Sequence, residues 1–189
     1  MEILEKLITE HGVILKGLAS LSEAKDALEK NRHPPKAFFD AAVVFFREYA
    51  DRFHHYKEEY ILFSLLARKK DGDIDLEMGA LRYQHELNRK CIAKIEAALH
   101  GYETGNEIAA TTLLMNLASF ISILKRHIFR EDQLFFPMAD AELSDDEKQQ
   151  LENQFKQEET ALNETCLIEE SRTRLKEMAA ILCAFKMEG

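Results

Sequence analysis

The sequence predicts an all-α protein: an up-down-up-down four-helix bundle with an additional C-terminal helical segment. Three observations carry that expectation. Apolar residues recur at helical spacing through long stretches, and no strand-like alternation survives inspection. Strong breakers cut the 189 residues at only a few places, with three Pro and seven Gly in all. A segment rich in His and acids recurs in both halves of the chain, and such self-similarity sets an architecture.

The first helix runs from about Ile3 to Lys30, with Leu4, Leu7, Ile8, Ile14, Leu15, Leu18 and Leu21 on one stripe. It stops at Asn31-Arg32-His33-Pro34-Pro35, because proline disfavours helix in the residue before it and suits a new helix start. The second runs from about Lys36 to Lys70 and carries Phe38, Phe39, Ala42, Phe45, Phe46, Tyr49, Phe53 and Tyr56. Asp71-Gly72-Asp73 then turns the chain, and Asp73 or Asp75 caps the third helix, about Ile74 to His100. Gly101 to Asn106, with Gly105 inside, makes the next turn. The fourth helix, about Glu107 to Met138, is the most apolar, as suits one buried on several sides. Pro137 to Ser144 breaks it, and Ser144-x-x-Glu147 has capping-box spacing. A last stretch, about Asp145 to Lys186, holds Leu151, Phe155, Leu162, Leu175, Met178, Ile181 and Leu182 in one helix or two. Residues 1–140 therefore read as the bundle, and 141–189 as an extension packed on its outside.

Composition narrows the partners. The formal net charge is −9, which argues against a nucleic-acid backbone as ligand, since that needs clustered Lys and Arg. No run approaches the roughly 18 consecutive apolar residues of a membrane span, and the first residues do not resemble a signal peptide. A cytoplasmic protein is the expectation, with no membrane partner. Cys91, Cys166 and Cys183 lack C-x-x-C spacing and read as reduced, buried thiols. His33 and His100 fall beside turns and read as surface residues, and Tyr49, Tyr56 and Tyr83 as core.

The repeat carries the chemistry. His54-His55-Tyr56-Lys57-Glu58-Glu59-Tyr60-Ile61-Leu62-Phe63-Ser64 recurs as His127-Ile128-Phe129-Arg130-Glu131-Asp132-Gln133-Leu134-Phe135-Phe136-Pro137. Each copy holds a His and a Glu four residues apart, hence on one helix face. Each is preceded, at nearly the same distance, by a lone His beside an acid: Glu10-His11 and His85-Glu86. Antiparallel helices joined by a tight turn place residues equidistant from that turn at one height. The midpoint of His11 and His54 falls in the His33-Pro34 turn, that of Glu58 and His85 at Asp71-Gly72, and that of His85 and His127 at Asn106. At about 1.5 Å of rise per residue, all six side chains arrive at one level.

Burying four imidazoles and two carboxylates without a cation is costly. Their donor types suit iron, manganese or zinc. Six ligands serve two ions better than one: each ion takes one lone His, His11 or His85, and one His of a His-x-x-x-Glu pair, His54 or His127, with Glu58 and Glu131 bridging. His55 is a candidate fifth histidine ligand, although its repeat counterpart is Ile128, and Glu59 and Asp132 are candidates for direct ligation too. Glu59, Asp132, Glu10 and Glu86 flank ligands and read as acids that orient imidazoles, or as surface groups.

Jointly, Glu10-His11, His54-x-x-Lys57-Glu58-Glu59-x-x-Leu62-Phe63, His85-Glu86 and His127-x-x-x-Glu131-Asp132-x-x-Phe135-Phe136-Pro137 resemble the hemerythrin-like, or HHE cation-binding, family over roughly residues 1–140. The resemblance implies a helical bundle around two iron ions, joined by an oxo or hydroxo bridge, and a diatomic ligand, O2 or nitric oxide. It departs from the oxygen-carrying members at Arg89, which stands where they have a second histidine four residues after the first. That departure counts against reversible oxygen carriage. Sensing of O2, nitric oxide or iron, a di-iron enzyme, and a metal-responsive interaction module all remain open at this point.

Overall fold

The structure is a computed structural model and describes residues 2–69 and 72–187. Helix α1 (Glu2–Glu29) closes on an asparagine in the left-handed region. Asn31 has φ 56°, its N–H donates to Leu28 O, and Arg32 N–H donates to Ala27 O, both at 2.9 Å. These are the paired bonds of a Schellman motif. Pro34 and Pro35 follow and lead into α2 (Lys36–Phe45).

The chain then stays helical to Leu66 but changes its winding. Phe46–His55 (π1) and Lys57–Leu62 (π2) are π-helical, and α3 (Phe63–Leu66) completes the rod. Lys70 and Asp71, the expected end of this helix and start of its turn, lie outside the described residues. Helix α4 (Gly72–Glu103) contains Asp73 and Asp75 in its first turn, so both sit inside the helix rather than capping it from outside. Negative charge there still complements the helix dipole.

A second Schellman closure ends α4. Gly105, at φ 78°, donates its N–H to Tyr102 O, and Asn106 N–H donates to Gly101 O. The Asn106 side chain then accepts from Ala109 N–H at 3.0 Å and caps α5 (Glu107–Arg130). Helix continues through π3 (Glu131–Phe135) and α6 (Phe136–Glu142). Pro137 was expected to open a turn; it instead lies at the start of α6, directly after the π-helical turn, within a continuous helical rod. The break is confined to Leu143 and Ser144. Ser144 and Glu147 form the anticipated capping box at the head of α7 (Asp145–Ala161). The last stretch is two helices, since Asn163 at φ 52° separates α7 from α8 (Glu164–Met187).

Among the described residues every regular element is helical. Helix α5 lies along α4 and against α1, α2 packs on α4, α8 covers α2 and α1, and α7 packs on π2 and α1. Two apolar clusters result. One gathers Leu18, Leu21, Phe38, Phe39, Phe46, Ile92 and Phe120, and takes Met178 and Leu182 from α8. The other gathers Leu4, Leu7, Leu62, Phe63, Leu81 and Phe135, and takes Leu151 and Phe155 from α7. Each rod crosses from one cluster to the other at its polar residues. His11 stands between Leu7 and Ile14, His85 between Leu81 and Ile92, and Glu131 between Ile128 and Phe135.

Several side chains depart from the sequence reading. Ile8 and Leu15, counted on the apolar stripe of α1, are exposed, and so is Tyr83, at 63%. Cys91 is buried, but Cys166 and Cys183 are exposed free thiols. By length and composition the stretch Glu107–Glu142 is apolar enough to cross a membrane, contrary to the expectation that none would be. Only 28% of its most apolar stretch is buried; α5 buries Leu113, Leu117, Phe120, Leu124 and His127 along one stripe and exposes Ile108 and Met115, so it is not the helix buried on several sides that its composition suggested.

Candidate metal centre

The six side chains singled out in the sequence are all buried and converge between the two apolar clusters. His127 Nε2 lies 3.0 Å from Glu131 Oε2, and His11 Nε2 lies 3.2 Å from the same oxygen. Glu58 Oε1 is 3.4 Å from His54 Nε2, and Glu58 Oε2 is 3.5 Å from His85 Nε2. His85 Nε2 is 3.9 Å from Glu131 Oε1. Both carboxylates thus reach toward histidines of both expected positions.

The donors sort into two groups, each with ligand atoms within 4.8 Å of one another. His11, His54, Glu58 and Glu131 form one, and His55, His85, His127 and Glu58 form the other. Glu58 belongs to both, as a bridge between two ions requires. Each group joins one lone His to one His of a repeat pair, His11 with His54 and His85 with His127. His55 is the addition: its ring stacks on His85 with centroids 3.8 Å apart.

Helical winding explains His55. A π-helix, bonded from i to i+5, places more residues in each turn and is often found at functional sites. Neighbours along it stand at smaller angles, so π1 turns both His54 and His55 inward. Helix α5 reaches His127 with ordinary α winding, and Ile128 packs into the apolar core instead. Beyond the glutamates the two copies agree again. Phe63 N–H donates to Glu58 O, and Phe136 N–H donates to Glu131 O, the same wide turn at the same offset.

A layer of acceptors holds the imidazoles from behind. The Nδ1 atoms of His11, His54, His55 and His85 meet Asp132 (2.7 Å), Glu10 (2.8 Å), Asp51 (3.4 Å) and Glu59 (2.6 Å). His127 Nδ1 meets Gln84 Oε1 at 3.1 Å. Such partners fix the tautomer and aim the other ring nitrogen. The sequence reading foresaw this role for Glu10, Glu59 and Asp132. It also considered Glu86, which instead binds Arg89 at the surface. It missed Gln84 and Asp51, although Asp51 precedes His55 by one helical turn and that spacing was readable.

Inside this layer His85 Nε2 and His127 Nε2 meet each other at 2.9 Å, and the other inward atoms have no partners. His11, His54 and His55 Nε2 and all four oxygens of Glu58 and Glu131 are buried without a hydrogen bond. Electrostatics differ between the groups. Burial opposes charge on His11, yet Asp132, Glu131 and Glu58 raise its pKa to about 10. His54 is also raised against its burial, by Glu58 and Glu10. Burial and the neighbouring imidazoles push His85 well below its ordinary 6.5, and burial lowers His55. Burial would raise Glu131, but His127 and His11 hold it well below the carboxylate range. Orphaned, converging N and O donors with neutral or readily displaced protons suit a pair of divalent or trivalent ions.

Two charged residues brace the layer. Arg89 donates to Asp51 (2.8 Å), Glu59 (2.8 Å) and Glu86 (2.7 Å). Burial pushes the Asp51 pKa up, but His55 and Arg89 outweigh it and hold it at about 2. Arg89, which stands where oxygen-carrying members have a further histidine, thus points into a cluster of acids. It secures the acid that orients His55. Lys57 is fully buried, donates to Glu10 and lies 3.7 Å from the Phe53 ring centroid. Its repeat counterpart Arg130 is partly exposed and pairs with Glu77, so nothing in the motif announced the burial. Glu10, Glu159 and Glu164 also draw close, but Lys57 and Lys6 already sit among them.

The family described as "Hemerythrin HHE cation binding domain" matches residues 2–139. The chain belongs to this family. Its hemerythrin domain thus takes in every donor above and stops before α7. Two curated relatives, named only as uncharacterised proteins of Mycobacterium bovis and Mycobacterium tuberculosis, are each 26% identical over 133 residues. The match covers 70% of this chain and 51% of each relative, so the chain spans about half the length of the curated relatives it matches. No solved structure is significantly similar. The hemerythrin assignment makes cation binding the shared property, and the His and Glu clusters are where this chain can provide it.

Proposed function

We propose that this hemerythrin-domain protein is a cytoplasmic non-haem di-iron protein that binds or senses O2 or nitric oxide. Four rods, α1, α2 to α3, α4, and α5 to α6, make the up-down-up-down bundle of residues 1–140, and residues 141–189 form the extension. His11, His54, Glu58 and Glu131 hold one ion, and His55, His85, His127 and the same two glutamates hold the other. Manganese or zinc suits the donors as well; iron adds redox chemistry and an affinity for diatomic ligands.

One observation carries the reading. Five buried side chains, His11, His54, His55, Glu58 and Glu131, aim unpartnered atoms at a centre that His85 and His127 also face, while each imidazole is tied from behind by an acid or amide. The chain's own part is to orient the rings, to keep Glu131 charged and to exclude bulk water. Metal analysis and an optical spectrum of anaerobically purified protein, before and after air, test it. About two iron atoms per chain and an air-dependent spectrum are expected. Metal content near zero after growth with ample iron overturns the reading.

A second reading, a metal-responsive interaction module, has its own support. His54 connects through Glu10 and Lys57 to Glu159 of α7, and Lys6 joins Glu159 to Glu164 of α8. Loss of metal would be felt by the extension along these charges. Faster hydrogen exchange in 145–187 on chelation favours that module.

A further inference from the structure

The pocket beside the second ligand group is larger than a diatomic needs. It has a volume of about 360 Å³ and lies between π1, α4 and α5. That is about a dozen times the volume of one water in the liquid, and it falls in the range of small-molecule sites. His55 and His85 form its inner end. Phe46, Ala50, Ile92, Phe120 and Leu124 make its walls apolar.

Asn88 is the exception in those walls. It is 3% exposed, it lines the pocket, and neither its Nδ2 nor its Oδ1 has a hydrogen-bond partner. A buried carboxamide left unpaired on both sides costs free energy. A ligand group that both donates and accepts would remove that cost. The charged groups at the rim are already paired. Arg47 binds Glu96 through two bonds, at 2.7 and 2.5 Å, and Arg89 holds Asp51, Glu59 and Glu86. An anionic ligand therefore finds no free cation, and a neutral one loses nothing.

We propose that this pocket binds an uncharged organic molecule: an apolar body the size of a substituted benzene, with one hydroxyl, hydroperoxide or primary amide head hydrogen-bonded to Asn88. The apolar body fills the space between Phe46, Ile92 and Phe120, and the head lies within reach of the His55 and His85 end. The proposal deepens the metal reading by naming what sits beside the centre, and it rests on that reading only for the role of the inner end. The pocket and the orphaned amide stand without it.

The test uses cumyl alcohol as probe, with cumene (no head) and 4-isopropylbenzoate (a charged head) as comparisons. Each is titrated into full-length zinc-loaded protein and, in parallel, into metal-free protein, by calorimetry and by the NMR signal of the Asn88 side-chain amide. Metal content is measured on the same samples. Saturable binding of the alcohol with a shifted Asn88 amide is expected, with both comparisons weaker by about tenfold, the loss of one net hydrogen bond. Asn88→Leu should erase the preference for alcohol over cumene, and Ile92→Trp should abolish binding by filling the pocket. A folded Asn88→Leu variant that keeps the preference overturns the proposal, as does absence of saturable binding in both metal states. Failure to load metal together with normal alcohol binding sinks the metal reading and leaves this one standing.

Discussion

The Nε2 atoms of His85 and His127 lie 2.9 Å apart, while the Nδ1 atoms of the same rings meet Glu59 and Gln84. The two Nε2 atoms face each other closely enough to share either a proton or a metal ion. Two nitrogens each about 2.1 Å from one ion, a usual metal–imidazole distance, would have about this separation at a right angle. A His54→Ala/His127→Ala variant, which removes one imidazole from each group, should therefore lose most of its metal. Full retention measured by plasma emission would contradict the assignment.

Glu58 touches His54 on one side and His85 on the other. Glu58→Ala should disturb both metal positions together, seen as loss of both ions rather than one. Glu59→Ala acts differently, because Glu59 only holds His85 from behind. Metal should still bind there, with affinity weaker by about 10–100-fold, the usual cost of removing such a partner. Equal loss in the two variants, measured by competition with a chelator, would show that the roles are misassigned.

Lys57 is the fully buried partner of Glu10, which holds His54. Removing one member of a buried ion pair leaves the other charge uncompensated, at a cost of about 3–5 kcal/mol. Lys57→Met should lower unfolding stability by that order in denaturant titrations of metal-free protein. A Glu10→Gln/Lys57→Met double variant should recover part of it. A Lys57→Met protein as stable as the parent would mean that the pair contributes only packing.

Metal-free protein should be most stable near neutral pH. The folded-state pKa of His11 is raised from 6.5 to about 10, so its contribution is complete below about 6.5 and is lost as pH rises through about 10. His85 and His55 are lowered. Their protonation in the unfolded chain therefore costs folded stability as pH falls through about 6.5. Bound metal replaces the protons in the folded state, so the loaded protein should lose the alkaline decline. Melting temperatures from pH 5 to 10, with and without chelator, check this. A metal-free profile that is flat between pH 7 and 10 would exclude a protonated His11.

The sequence by itself determined most of the helices and breaks, and it singled out six side chains that the fold brings together. Breakers such as Asn31, Pro34 and Gly105 act through local backbone geometry, and equal distances from a turn translate directly into equal heights on antiparallel rods. Both are one-dimensional properties. The direction in which a side chain points is not, because it accumulates with the turn per residue. The repeat, in which Ile128 stands opposite His55, weighed against His55 as a ligand, whereas the π winding of Phe46–His55 brings it in beside His54. The burial of Lys57, the exposure of Tyr83 and the use of Asp51 and Gln84 behind the imidazoles were likewise decided by how rods pack against one another. Packing depends on neighbours far away in the chain, and a repeat read along one strand of sequence carries no record of them.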